Sequence, residues 1–193
     1  METTTHRMRP DQNLKTDAEL MLEVAAGARE SAGVLFTRHH QKLYRYFFSI
    51  MRNRADSMDA VQDVFDRLIR YGHSFRGGTF LPWLFRIAKN VANDQYRKPS
   101  LSQTSLETFQ RVDPAPLPDR HLEMSQDKRV LAEALNRLSP AYREVLVLSR
   151  YADLSYKEIS SVLDCSGDAV KVRVHRALTS LKKNYLELSQ AKS

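Results

Sequence analysis

Arg86, Asn90, Asn93 and Arg97 recur at steps of four, three and four residues within the run 80–98. At about 100° per residue, that spacing gathers all four on one narrow stripe of a helix. Phe80, Leu84, Ile87, Ala88 and Val91 mostly take the other side. Asparagine amides hydrogen-bond base edges and arginine holds phosphate, so the stripe has the chemistry of a nucleic-acid face. Trp83 sits beside the stripe, and Phe75 and Arg76 lie in the Gly-containing segment before it. Aromatic rings next to a basic groove suit stacking on unpaired bases. Equally, Trp83 could fill core and Phe75 anchor the loop.

A second constellation lies near the other end. Ser155-Tyr-Lys-Glu158 is a capping box that opens a short helix, and Asp164-Cys-Ser166 makes a tight turn before a longer one. With Val170, Val174, Ala177, Leu178 and Leu181 inward, Asp168, Lys171, Val172, His175 and Arg176 project outward from the first turns, with Ser166 and Arg173 beside them. A helix-turn-helix inserts those turns in the major groove, where Lys and Arg reach guanine edges or phosphates and Val meets a thymine methyl. A solvated basic helix in a helical hairpin is the alternative.

A third pattern is acidic. Opposite the apolar residues Val61, Val64, Phe65, Leu68 and Ile69 lie Asp59, Gln62, Asp63 and Asp66. DNA is repelled by such a row, which is therefore either solvated or set against a basic protein surface. Nothing points to catalysis: there is no phosphate-binding glycine loop with its lysine, no GxSxG and no HExxH. The adjacent His39 and His40 point in different directions on a helix and do not share a metal. No cofactor, metal or catalytic residue is expected.

These patterns need helices to hold them. Thr16-Asp-Ala-Glu19 is a capping box; apolar periodicity continues through 30–51 and 55–71, and Pro99 stops the helix of 80–98. Leu131, Leu135 and Leu138 mark another helix, and Ser139-Pro140 starts the next as N-cap and first helical residue. Between them, residues 99–123 hold Pro99, Pro114, Pro116 and Pro118 and keep no helical stripe, as a linker does. The reading is all-α. A disordered tail (1–16) precedes a helical domain (17–98); the linker (99–123) leads to a helix-turn-helix domain (124–187) and a short tail (188–193).

The net charge of +7 lies in the two domains. Residues 1–98 carry 16 Lys and Arg against 11 Asp and Glu, residues 124–193 carry 12 against 8, and the linker carries 2 against 4. A polyanionic partner suits that distribution. A single cysteine, Cys165, excludes an intrachain disulfide and a cysteine-cluster zinc site. The polar N-terminus and the lack of a long apolar run fit a cytoplasmic protein with no membrane insertion.

The run Asp56-Ser-Met-Asp-Ala-Val-Gln-Asp-Val-Phe65 resembles the polymerase-binding helix of extracytoplasmic-function (ECF) sigma factors of the sigma-70 family. Phe75-Arg-Gly-Gly-Thr-Phe-Leu-Pro-Trp-Leu-Phe-Arg-Ile-Ala-Lys-Asn90 resembles their loop and helix that read and melt the −10 element. Leu138-Ser-Pro-Ala-Tyr-Arg-Glu-Val-Leu146, Leu154-Ser-Tyr-Lys-Glu-Ile159 and Val170-Lys-Val-Arg-Val-His-Arg-Ala177 resemble their −35-binding domain. The resemblance spans about residues 17–183. It implies a factor that binds core RNA polymerase, through the β′ clamp helices and the β flap, and promoter DNA, with an anti-sigma factor as antagonist. It places the row of Asp59, Gln62 and Asp63 on the clamp helices, and Phe75 and Asn90 in a pocket for a flipped base. Lys171, Val172, His175 and Arg176 fall at positions that face the −35 element. An autonomous helix-turn-helix repressor or activator is the alternative; it leaves the Asn/Arg stripe unexplained.

Overall fold

The computed structural model describes residues 15–97 and 126–191. The linker (99–123) and nearly all of the expected N-terminal tail fall outside the described residues. Among those described, regular structure is helical throughout. The order is α1 (Asp17–Ala25), α2 (Arg29–Met51), α3 (Arg54–Tyr71), a 3-10 turn (Gly72–Ser74), α4 (Phe80–Arg97), α5 (Gln126–Asn136), α6 (Pro140–Arg150), α7 (Tyr156–Leu163) and α8 (Gly167–Gln190).

The starts of these helices follow from local chemistry. Thr16 accepts a hydrogen bond from the Glu19 amide at 3.3 Å, and the Glu19 carboxylate accepts from the Thr16 amide at 2.7 Å. Ser155 and Glu158 repeat the arrangement at α7. Ser139 caps α6 ahead of Pro140, and Ser166 caps α8 by accepting from the Ala169 amide at 3.1 Å. Each such cap is worth about 1 kcal/mol, and together they set where α1, α6, α7 and α8 begin.

Burial corrects the inward-facing set at three places. Ile69, Leu131 and Leu178, expected inside, are 44%, 42% and 39% exposed. Each stands next to a residue that does hold the seam: Leu68, Val130 and Ala177 are buried. One residue is about 100° of helix rotation, enough to carry a side chain from seam to rim. Helix α8 also runs to Gln190, into the expected tail (188–193), because Leu181, Tyr185 and the buried Leu188 go on packing against Val130 and Ala134 of α5.

The two halves do not keep separate cores. Helix α2 packs on α6 and α4 packs on α7, so one apolar cluster runs from Leu20 to Ala177. Polar bonds cross the same seam. The fully buried Tyr46 donates its hydroxyl proton to Glu144 at 2.8 Å, and Lys42 pairs with Asp153 at 3.1 Å. Arg143, only 7% exposed, donates to the carbonyls of Leu135, Asn136 and Leu138 and, across the seam, to that of Ser49 at 2.6 Å. Arg52 donates from the left-handed C-cap of α2 to Asn136 O. These arginines satisfy carbonyls at the ends of α2 and α5 that have no partner within their own helices.

Candidate nucleic-acid and polymerase interfaces

Helix α4 is amphipathic in the expected sense. Leu84, Phe85, Ala88, Val91 and Ala92 are buried, while Arg86, Asn90 and Asn93 are exposed on one side. Arg97 continues the stripe by its position in the helix. Arg67 of α3 pairs with Asp94 at 2.8 Å and fastens the two helices beside the stripe. Arg86, Asn90 and Asn93 thus present one guanidinium and two amides to solvent along the helix.

Of the two readings of Phe75, the structure follows the loop anchor. Its ring is 4% exposed, edge-on to Trp83 at 5.3 Å and to Phe80 at 6.2 Å. An apolar ring beside two others is lowered in energy by leaving water, so it packs rather than waits for a base. The segment that follows supplies the reach: Gly77 and Gly78 adopt φ of 88° and 96°, the left-handed region that glycine enters without strain. Phe75 therefore anchors the loop, and the exposed Arg76 and partly buried Trp83 are what it offers.

In the second half, α7 and α8 meet at the Asp164 turn, where Asp164 takes a left-handed conformation with φ 53°. Val170, Val174 and Ala177 seat α8, leaving Asp168, Lys171, Val172, His175 and Arg176 exposed and Arg173 half-buried. Val172 is 49% exposed, an apolar side chain held in water among basic neighbours. Asp168 sits 3.5 Å from Lys171, in a pair so open that it restrains Lys171 only weakly. Ser166 uses its hydroxyl as the cap acceptor, which leaves its proton for donation outward.

On α3, Asp59, Gln62 and Asp66 are exposed and Asp63 is half-buried. None of these carboxylates is in an ion pair among the described residues. The two histidines do point apart. His39 is buried with Nε2 2.8 Å from Asp17 Oδ2, whereas His40 stacks on Phe36 at 4.9 Å. Burial holds the His39 pKa below its ordinary value, against the pull of Asp17. The buried Arg143 carries no signal in the sequence, since a charged residue in an amphipathic helix reads as outward-facing.

The sequence matches the family models for sigma-70 region 2 over residues 35–100 and sigma-70 region 4 over residues 128–181. It is 31% identical over 166 residues to the RNA polymerase sigma factor CarQ of Myxococcus xanthus, covering 84% of this chain and 93% of that one. It is 31% identical over 162 residues to the ECF RNA polymerase sigma factor SigX of Bacillus subtilis, covering 80% and 84%. The chain belongs to the ECF sigma factors. As such it directs RNA polymerase to promoters. Among solved structures, this sigma factor resembles CnrH in complex with the cytosolic domain of CnrY, with a TM-score of 0.67 and 29% identity over 92% of this chain and 99% of that one. Helix α4 falls within the region 2 match and α7 with the first half of α8 within region 4. No helix among the described residues is long and apolar enough to cross a membrane.

Proposed function

We propose that this sigma factor reads the −35 element with Lys171, Val172, His175 and Arg176 of α8, aided by Ser166, Asp168 and Arg173. It reads and melts the −10 element with Arg86, Asn90, Asn93 and Arg97 of α4, together with Trp83 and Arg76. Phe75 sets the loop rather than touching DNA. Asp59, Gln62, Asp63 and Asp66 of α3 dock on the β′ clamp helices, and the second half meets the β flap. The work takes place where the polymerase is, in the cytoplasm, and consists of binding rather than catalysis. Residues 17–98 and 124–187 act as the two working domains. A protein antagonist of the anti-sigma kind is a further partner, by analogy with CnrH bound to CnrY.

The observation that carries this reading is the simultaneous exposure of the stripes on α3, α4 and α8. A stand-alone repressor or activator uses only the last. Distance then imposes a conformational step. The two elements lie about 25 base pairs apart, roughly 85 Å at about 3.4 Å per step. A compact chain of this size is roughly 40 Å across. The domains therefore part along the α2–α6 and α4–α7 seam on engaging a promoter. The 28 residues between Arg97 and Gln126 can span at most about 95 Å when drawn out, which is sufficient. The test is promoter-selective run-off with purified core polymerase. One start site appearing only with this chain is expected; duplex binding without initiation would return the molecule to the stand-alone regulators.

A further inference from the structure

The face of α3 that carries the acidic row does not stay acidic. Arg70 lies eleven residues beyond Asp59, which at about 100° per residue brings it back to within roughly 20° of the same direction. It stands about 6 Å along the axis from Asp66. His73 extends the line through the 3-10 turn. Here the ends of α1 and α3 and the start of α2 enclose an open groove of about 300 Å³. Its apolar lining comes from Val24, Ala25 and Ile69, its cations are Arg29 and Arg70, and the imidazole of His73 adds a polar edge.

Arg29, Arg70 and His73 are all exposed, and no hydrogen bond or ion pair engages them among the described residues. By contrast, Arg38 and Arg67 of the same half are tied down, to Asp17 and Asp94. Arg29 is moreover the first residue of a 23-residue helix whose N-cap, Ala28, offers no side-chain acceptor. The helix dipole adds positive potential there, and Glu30, the acid of that turn, points about 100° away.

We propose that this groove receives an acidic side chain of the polymerase surface that docks on the α3 row. The inference rests on the docking reading above and refines it: the docking face is bipolar, carboxylates first and cations one turn further on. A helical partner bearing only cations could lie along α3 in either direction. One that also carries a carboxylate is accepted in a single direction and register, because the reversed pose sets like charges together. A nucleic-acid strand is the poorer occupant, since its phosphates would pass Asp66 about one turn from Arg70. The aliphatic floor suits the methylene stem of a glutamate or the flank of an aspartate.

The experiment measures the affinity of the full-length chain for core polymerase by fluorescence anisotropy. The variants are the pair Arg29→Glu with Arg70→Glu, the milder Arg70→Gln, and Asp63→Arg. Thermal unfolding and binding to a −35 duplex serve as folding controls. The double variant is expected to lose at least tenfold in core affinity and Arg70→Gln a few-fold, with both controls unchanged. Loss with Asp63→Arg but not with the double variant or Arg70→Gln overturns the groove proposal and leaves the docking reading standing. If none of the three weakens binding, the docking reading itself falls. Unchanged core affinity with weaker retention of single-stranded promoter DNA would assign the groove to nucleic acid and overturn the proposal.

Discussion

Replacing Tyr46 with Phe should loosen the closed form of the free sigma factor without unmaking either half. The ring of Tyr46 is fully buried and edge-on to Phe47 at 5.4 Å and Phe85 at 5.5 Å, contacts that Phe retains. What disappears is the 2.8 Å bond to Glu144, which joins α2 to α6. A hydrogen bond to a charged group contributes about 1.5–3 kcal/mol net. Glu144 is partly solvated, so the low end applies, about 1.5 kcal/mol, and the open fraction should rise roughly tenfold. Donor and acceptor dyes on exposed sites of α3 and α8, such as Gln62 and Leu186, report the distance between the halves in single molecules. The long-distance population should grow in Tyr46→Phe while helical content stays constant. An unchanged distribution would refute the argument that this bond helps hold the halves together.

Lys171→Ala and Arg176→Ala should each cost about 1–3 kcal/mol on a −35 duplex if the side chain reads a base, with specificity relaxed at one position. A phosphate contact instead gives a uniform loss and a shallower salt dependence, and wild-type affinity with wild-type salt slope in both variants would remove α8 from the DNA. Phe75→Ala should lower stability by about 3 kcal/mol, as buried Phe→Ala changes do, with closed and open complexes falling together; permanganate footprints lost at constant stability would put the ring on DNA. His39 gives a pH signature. Burial holds its folded pKa below the ordinary 6.5, so the unfolded chain takes up the proton first. The stability from neutral His39 is then complete above about pH 7 and is lost as pH falls through 6.5 toward the depressed value. Melting temperatures of the wild type and His39→Gln from pH 7.5 to 5 check this, the variant lacking the extra slope.

The helices and the outward stripes were legible because each rests on local rules. Capping at Thr16, Ser139, Ser155 and Ser166 and the four- and three-residue steps of α4 need only neighbours in the chain. The errors came where a tertiary neighbour decides. From its glycine-flanked loop Phe75 reads equally as a stacking ring or a loop anchor, and only its contacts with Trp83 and Phe80 decide. Ile69, Leu131 and Leu178 satisfy helical periodicity yet lie one residue off the seam that packing selected. The association of the two halves left no trace in either pattern: the residues that carry it, Tyr46, Arg143 and Glu144, come from helices far apart in sequence, and amphipathicity cannot say which apolar face meets which. The groove at Arg70 was hidden for the same reason, since it needs α1, α2 and α3 together.

In the proposed function, this ECF sigma factor selects promoters from two domains that close on each other when free and part when working. The direct measurement is run-off initiation by core polymerase after a reversible cross-link between cysteines placed at Lys42 and Asp153, which face each other across the seam. Cross-linked protein should give no promoter-specific transcript, and reduction of the link should restore a single start site. Undiminished initiation from the cross-linked chain would show that the two halves do not have to part.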